Sequence, residues 1–245
     1  MNPAITLATA RRVLAQLRHD HRTMALLVLV PSVLLGLLAW VFDASPGVFD
    51  QVGPAMLAVF PFVVMFLVTS VATLRERTTG TLERLLAMPM AKLDLLVGYA
   101  LAFGLVAFVQ AGVATSLAVT VYGMDVAGPT WLLLLVAVVD ALLGIALGLL
   151  VSAFARTEFQ AVQFMPAIVL PQFLLCGLLV PRSEMPEALE AVSDVLPLSY
   201  AVDAMTQITA STEVSSDTVV NMGIVGAAAL ASLALGAATL RRRTP

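Results

Sequence analysis

The residues that could carry out chemistry in this sequence are few and poorly placed for catalysis. Its two histidines, His19 and His21, lie near the start of the chain, and its single cysteine, Cys176, lies inside an apolar run. No serine sits in a nucleophile elbow with a histidine to activate it, and no His/Cys cluster has the spacing of a zinc site. Lys92 does not follow a glycine-rich loop, so the phosphate-binding motif of an ATPase is absent from the sequence. We therefore expect no catalytic residue, metal ion or bound cofactor in this chain.

One ionisable residue, Asp140, lies near the middle of a long apolar run. A carboxylate that faces lipid at such a depth costs about 2.5–3.5 kcal/mol on insertion scales, so this side chain should face protein or water. Gly144 and Gly148 follow on the same helical stripe, which predicts close helix packing there. Two interpretations stay open: a carboxyl group hydrogen-bonded within a helix bundle, or a contact for a cationic substrate or a proton.

The elements that would position these residues are hydrophobic helices. Of the 245 residues 60% are hydrophobic and 12% are charged, and the mean hydropathy is +0.98. A soluble domain of this size has too little interior for that apolar surface. Continuous runs of about 20 apolar residues suit membrane-spanning helices, whereas barrel strands alternate. Six runs qualify, over 24–42, 54–74, 93–122, 131–154, 161–180 and 219–240.

The sequence thus predicts an all-α membrane protein in which residues 1–245 form a single transmembrane domain. The first run is longer than the apolar stretch of a signal peptide, so we expect it to be a retained span. Twelve of the 13 basic residues fall on one side of a six-span topology, and acidic residues dominate the other side. By the positive-inside rule both termini are expected in the cytoplasm, with the protein in the bacterial inner membrane.

Two segments outside the spans also show helical periodicity. Within residues 3–22, Ala10, Val13 and Leu17 share one face, and arginines share another, which predicts an amphipathic helix at the membrane interface. Between spans five and six, apolar residues recur at helical spacing among acidic ones over 185–196. This pattern predicts a short outer helix.

The stretch 75–96, between spans two and three, predicts a further helix on the cytoplasmic side. Gly80 should end the preceding helix, and Thr81 is a suitable N-cap for the next one. Glu83 then falls in the first turn, where the helix dipole favours an acid. Leucines at 82, 85 and 86 share one apolar face. This face is too short to lie along lipid as a membrane helix does, and it suits a groove on a partner protein.

This stretch carries a resemblance to a known family. The pattern R-E-x-x-x-G-T-x-E-x-L-x-x-x-P over 75–89 resembles the coupling-helix region of type-2 ABC transporter permeases, the transmembrane subunits of drug, antibiotic, lipid and polysaccharide exporters. The sequence L-P-L-S-Y-A-V-D-A-M over 196–205 is similar to the segment before the last span in that family. In the family a basic residue often follows this second motif. This chain instead has Met205, Thr206 and Gln207 at that place.

The resemblance implies a separate ABC ATPase that binds ATP and Mg²⁺ and drives this chain, which would itself be no enzyme. It also implies a second permease copy or a related permease, a membrane-lipid environment and no nucleic-acid partner. The residues that match the motif, and that we therefore assign to coupling with the ATPase, are Glu76, Gly80, Thr81, Glu83, Arg84 and Leu85.

The resemblance further places the substrate pathway between spans two and five. The residues expected to line it are Phe62, Phe66, Asp140, Phe164 and Gln172. With aromatic residues at only 7%, a hydrophobic or amphipathic small molecule such as a drug or antibiotic suits this lining better than a glycan. Export of a lipid or glycolipid is the alternative, and an ATP-independent secondary transporter or channel is the alternative from another class.

Overall fold

A computed structural model describes residues 2–45, 47–81, 84–85 and 90–239, and the regular secondary structure in these ranges is helical. One 3₁₀ turn, Arg182–Glu184, precedes the seventh helix. The helices are α1 Pro3–His19, α2 His21–Val41, α3 Val48–Thr78, α4 Lys92–Thr120, α5 Thr130–Ser152, α6 Glu158–Leu175, α7 Glu187–Ser193, α8 Pro197–Ala210 and α9 Ser216–Thr239.

Five of these helices are long and apolar enough to cross a membrane: α2, α3, α4, α5 and α9. They coincide with the predicted spans 24–42, 54–74, 93–122, 131–154 and 219–240. The predicted fifth span, 161–180, corresponds to α6, which contains Pro166 and Pro171 and ends at Leu175. Gly177 follows with a φ of 91°, a conformation that favours glycine and ends the helix. The six-span count therefore stays a prediction.

The centre of the fold is the contact between α3 and α5. A Cβ built on Gly144 would lie 2.4 Å from the carbonyl oxygen of Phe62, and one built on Gly148 would lie 2.5 Å from that of Phe66. The two backbones approach this closely because glycine has no side chain to separate them. The close packing predicted for this stripe is confirmed.

Helix α1 packs along α4. Ala10 and Val13 are buried there, as their shared face predicts. Gly98 of α4 allows the close approach, because a Cβ at this position would lie 2.7 Å from the Cβ of Thr9. The predicted amphipathic helix is thus present with its apolar face on the protein, while its position relative to a membrane stays a prediction.

A short helix, α7, lies between α6 and α9 within the segment for which periodicity predicted one. A second helix, α8, follows it and was not predicted; it begins with Pro197, whose fixed φ suits the first turn. Arg182 ties the segment together, since its guanidinium pairs with Asp194 and donates to Asp203 over 2.6 Å. Burial raises the pKa of the Asp203 carboxyl, against the opposing effect of Arg182.

Candidate coupling site and transport pathway

The turn after α3 has the geometry that its sequence predicts. Gly80 has a φ of 74°, and its amide donates to the carbonyl of Arg77 over 3.2 Å. The amide of Arg84 donates to the carbonyl of Gly80 over 3.2 Å, so Gly80, rather than Thr81, precedes the first turn of the next helical segment. Glu83 lies outside the described residues, as do 82 and 86–89. The glycine breaks the helix as expected, and the N-cap prediction for Thr81 is displaced by one residue.

Two further coupling candidates, Arg84 and Leu85, have different surroundings. Arg84 is exposed. Leu85 is half-buried and packs against the cluster of buried side chains that includes Val13 and Met90. This leucine therefore joins the turn to a cluster that draws on several helices.

Glu76 joins three helices at the charged end of α3. Both its oxygens accept from the guanidinium of Arg12 on α1, over 2.9 and 3.1 Å. The same guanidinium donates to the Tyr99 hydroxyl on α4 over 2.9 Å and lies over the Tyr99 ring at 5.7 Å. Only 27% of the Arg12 side chain and 14% of the Glu76 side chain are exposed, which strengthens the pair relative to a surface pair. Movement of the Gly80 turn would thus reach α1 and α4 through Glu76.

Two arginines extend these links to α5 and α6. Arg77 donates to the carbonyl of Ser152 at the end of α5 over 2.7 Å. Arg75 donates to both carboxyl oxygens of Glu158 at the start of α6, over 2.7 and 3.0 Å. The end of α3 is therefore connected to α1, α4, α5 and α6.

Asp94 is a structural residue that the sequence reasoning missed. It is 2% exposed, and its carboxylate accepts from the amides of Asn2 and Ala91 over 2.9 and 3.3 Å and from the Thr6 hydroxyl over 3.4 Å. The Asp94 side chain thereby caps α4 and holds the start of α1 against α4. The position of Asp94 in the first turn of α4 could have indicated that it caps this helix. Its contact with Asn2, at the start of α1, spans 92 residues of sequence and could not be read from the local pattern.

The candidate pathway residues fall into two groups. Phe62, Phe66 and Asp140 are fully buried on α3 and α5. On α6, Phe164 packs against the small buried cluster that includes Leu74, and Gln172 accepts from the amide of Leu198 over 3.4 Å, at the start of α8. Neither oxygen of Asp140 has a hydrogen-bond partner in the part of the chain that the structure describes. The assignment of all these residues to a pathway stays a prediction.

Replacement of Asp140 by asparagine is expected to change the free energy of unfolding by less than about 1 kcal/mol, because the shape is kept and no described hydrogen bond is lost. Thermal denaturation of the purified protein measures this effect. Asp94→Asn is the matched control, and should cost about 1–3 kcal/mol because that carboxylate has three partners. An equally destabilised Asp140→Asn would show that the carboxyl is held by a structural hydrogen bond.

These hydrophobic helices define the class of the chain as a multi-pass membrane protein. The chain belongs to the ABC-2 type transporter family, whose model matches residues 3–209. The resemblance to type-2 ABC permeases is thus confirmed.

Three relatives illustrate the range of this similarity. The probable multidrug ABC transporter permease YbhR of Escherichia coli strain K12 is 29% identical over 155 residues, covering 63% of this chain and 42% of that protein. The linearmycin resistance permease protein LnrN of Bacillus subtilis strain 168 is 25% identical over 181 residues, covering 74% and 47%. The ABC transporter G family member 20 of Dictyostelium discoideum is 28% identical over 159 residues, covering 65% and 22%. The matched region thus spans less than half the length of each relative.

Proposed function

We propose that this chain is the membrane-spanning permease subunit of an ATP-driven exporter, and that a separate ABC ATPase binds ATP and Mg²⁺. The observation that carries the proposal is the linked end of α3, where the residues before the Gly80 turn are bonded to α1, α5 and α6 and, through Arg12, to α4. If the ATPase displaced the segment after Gly80, these hydrogen bonds and ion pairs would transmit the displacement to the spans. Family membership supports the presence of an ATPase partner.

The same proposal fixes a topology. Helix α6 would complete six spans, because its 18 residues extend about 27 Å. Twelve of the 13 basic residues then face the cytoplasm with both termini, in a bacterial inner membrane. Two such subunits, either identical or related, would form the complete pathway between the second and fifth spans.

A hydrophobic or amphipathic small molecule is the substrate class that we propose. The described pathway candidates are mostly apolar, and two of the relatives are named for multidrug transport and for linearmycin resistance. Phe62 and Phe66 are buried in this single subunit, so their exposure to substrate would require separation of the helices that cover them. Such a separation is the kind of step that ATP binding can drive.

The test is the double replacement Glu83→Ala with Leu85→Ala in the complex with the ATPase. We expect ATP hydrolysis to continue while transport falls at least about tenfold, a loss of roughly 1.4 kcal/mol in coupling. Proteoliposomes that report hydrolysis and uptake of a fluorescent drug together measure this ratio.

A matched control is available in α7, where Glu187 and Leu189 have the same two-residue spacing and Leu189 is exposed. The double replacement Glu187→Ala with Leu189→Ala should leave the ratio of transport to hydrolysis unchanged. Wild-type transport in the Glu83/Leu85 variant, or uptake of the drug by the chain without ATPase and ATP, would refute the proposed function.

A further inference from the structure

A cavity of about 490 Å³ lies between α1, the start of α2, α3, α4 and α6. This volume falls within the range of small-molecule sites in proteins, about 300–1,000 Å³. The cavity is distinct from the contact between α3 and α5 that holds Phe62 and Phe66, since neither residue lines it. It opens beside the linked end of α3, next to Arg75 and Glu76.

The lining of the cavity changes from charged to apolar along α3. Arg75 and Glu76 lie at one end, and Val71 and Leu67 follow towards the middle of the helix. Eight residues separate Leu67 from Arg75, which corresponds to about 12 Å of helix. Phe103 and Val162 add apolar surface from α4 and α6. A ligand that fits this gradient has a polar head and an apolar body of about that length.

The charges at the rim leave one carboxylate without an ion pair. Glu76 is paired with Arg12, and Arg75 is paired with Glu158. Asp20 also lines the cavity, and across the described ranges it forms no salt bridge within 4.0 Å. Its carboxylate accepts from the amide and hydroxyl of Thr23 over 3.1 and 2.6 Å, and these hydrogen bonds, together with the weaker attraction of Arg75 and Arg22, hold its pKa below the ordinary value.

We infer that this cavity binds an amphiphile with a cationic amine, whose head lies at Asp20 and whose apolar body lies between α3, α4 and α6. The site deepens the proposed function, because it would collect cargo from the inner leaflet beside the elements that couple to the ATPase. A carboxylate that is already anchored by Thr23 loses little side-chain freedom when it binds an amine. Arg75 and Arg22 partly offset the charge of Asp20, but the lining contains two carboxylates, Asp20 and Glu76, against the one guanidinium of Arg75, so an anionic amphiphile is disfavoured.

The experiment compares two photoreactive probes of equal length, a twelve-carbon amine and the corresponding carboxylic acid, both with a diazirine on the chain. The full chain is reconstituted in phosphatidylcholine nanodiscs without ATP or ATPase, and labelled peptides are identified by mass spectrometry. We expect the amine to label the segments around Leu67, Val71 and Val162 about fivefold more than the acid, as a charge-assisted contact at a surface implies.

Two variants test the site itself. Asp20→Asn keeps an N-cap for α2 but removes the charge, and should lower labelling by the amine about fivefold. Val71→Trp should fill the cavity and abolish labelling. Asp43→Asn and Leu230→Trp, which change an exposed acid and an exposed apolar residue away from the cavity, should leave labelling unchanged.

The outcomes separate this inference from the proposed function. Equal labelling by the amine and the acid, or labelling that survives both Asp20→Asn and Val71→Trp, would overturn the site. Loss of labelling in discs that contain phosphatidylethanolamine would also overturn it as a cargo site, because the lipid amine would occupy it. Since no ATPase is present, selective labelling would stand even if the Glu83/Leu85 variant refuted the coupling scheme.

Discussion

Gly144→Ala and Gly148→Ala are each expected to lower the free energy of unfolding by about 3 kcal/mol, the upper end of the usual cost of overpacking. The added methyl groups would lie 2.4 and 2.5 Å from the carbonyl oxygens of Phe62 and Phe66. Those oxygens belong to the backbone of α3 and cannot rotate away as a side chain could. The helices must therefore separate, and contacts along the whole interface weaken.

A matched control for these variants is Gly112→Ala in α4. Gly112 also lies inside a long helix, but no atom comes within 4 Å of a Cβ at this position. Alanine should therefore stabilise this helix by about 0.5–1 kcal/mol, the ordinary gain over glycine. Unfolding of the purified variants in denaturing detergent measures all three effects. Similar stability for Gly148→Ala and Gly112→Ala would show that α3 and α5 are not packed backbone to backbone.

The local parts of this fold could be predicted because each depends on neighbouring residues. Apolar runs locate the five long hydrophobic helices, and the spacing of Gly144 and Gly148 locates the α5 side of the central contact. Gly80 predicts a break because only a residue tolerant of positive φ ends a helix in that way. For α6 the same reasoning was incomplete, since hydrophobicity continues to residue 180 while Gly177 ends the helix earlier.

The parts that could not be predicted depend on residues that are distant in sequence. Arg12 and Glu76 are 64 residues apart, and nothing in either local pattern selects the partner. Helix α8 was not predicted, because the segment over 196–205 was compared with a family motif and its helical periodicity was not considered. Gln172 was predicted to line a pathway, and the structure shows that it also holds the start of α8, a contact that only the packing of α6 reveals.

Glu76→Ala is expected to lower the free energy of unfolding by about 2 kcal/mol, because it leaves a largely buried guanidinium without its carboxylate. Among the described residues, Arg12 would keep its hydrogen bond to the Tyr99 hydroxyl and its contact with the Tyr99 ring. Helix α1 should then detach more readily from α3 and α4. Trypsin cleavage at Arg11 and Arg18 provides a second measurement, since both arginines are exposed while α1 itself is docked.

A double-mutant cycle separates the pair from the general effects of alanine. Arg12→Ala, Glu76→Ala and the double variant should give a coupling energy of about 1.5–3 kcal/mol. The pair Arg75–Glu158 is the internal comparison: its side chains are 62% and 51% exposed, and its coupling energy should stay below about 1 kcal/mol. If the two cycles gave equal values, Glu76 would be an ordinary surface partner. The route from the Gly80 turn to α1 would then have to run through Leu85 and the apolar cluster that includes Val13.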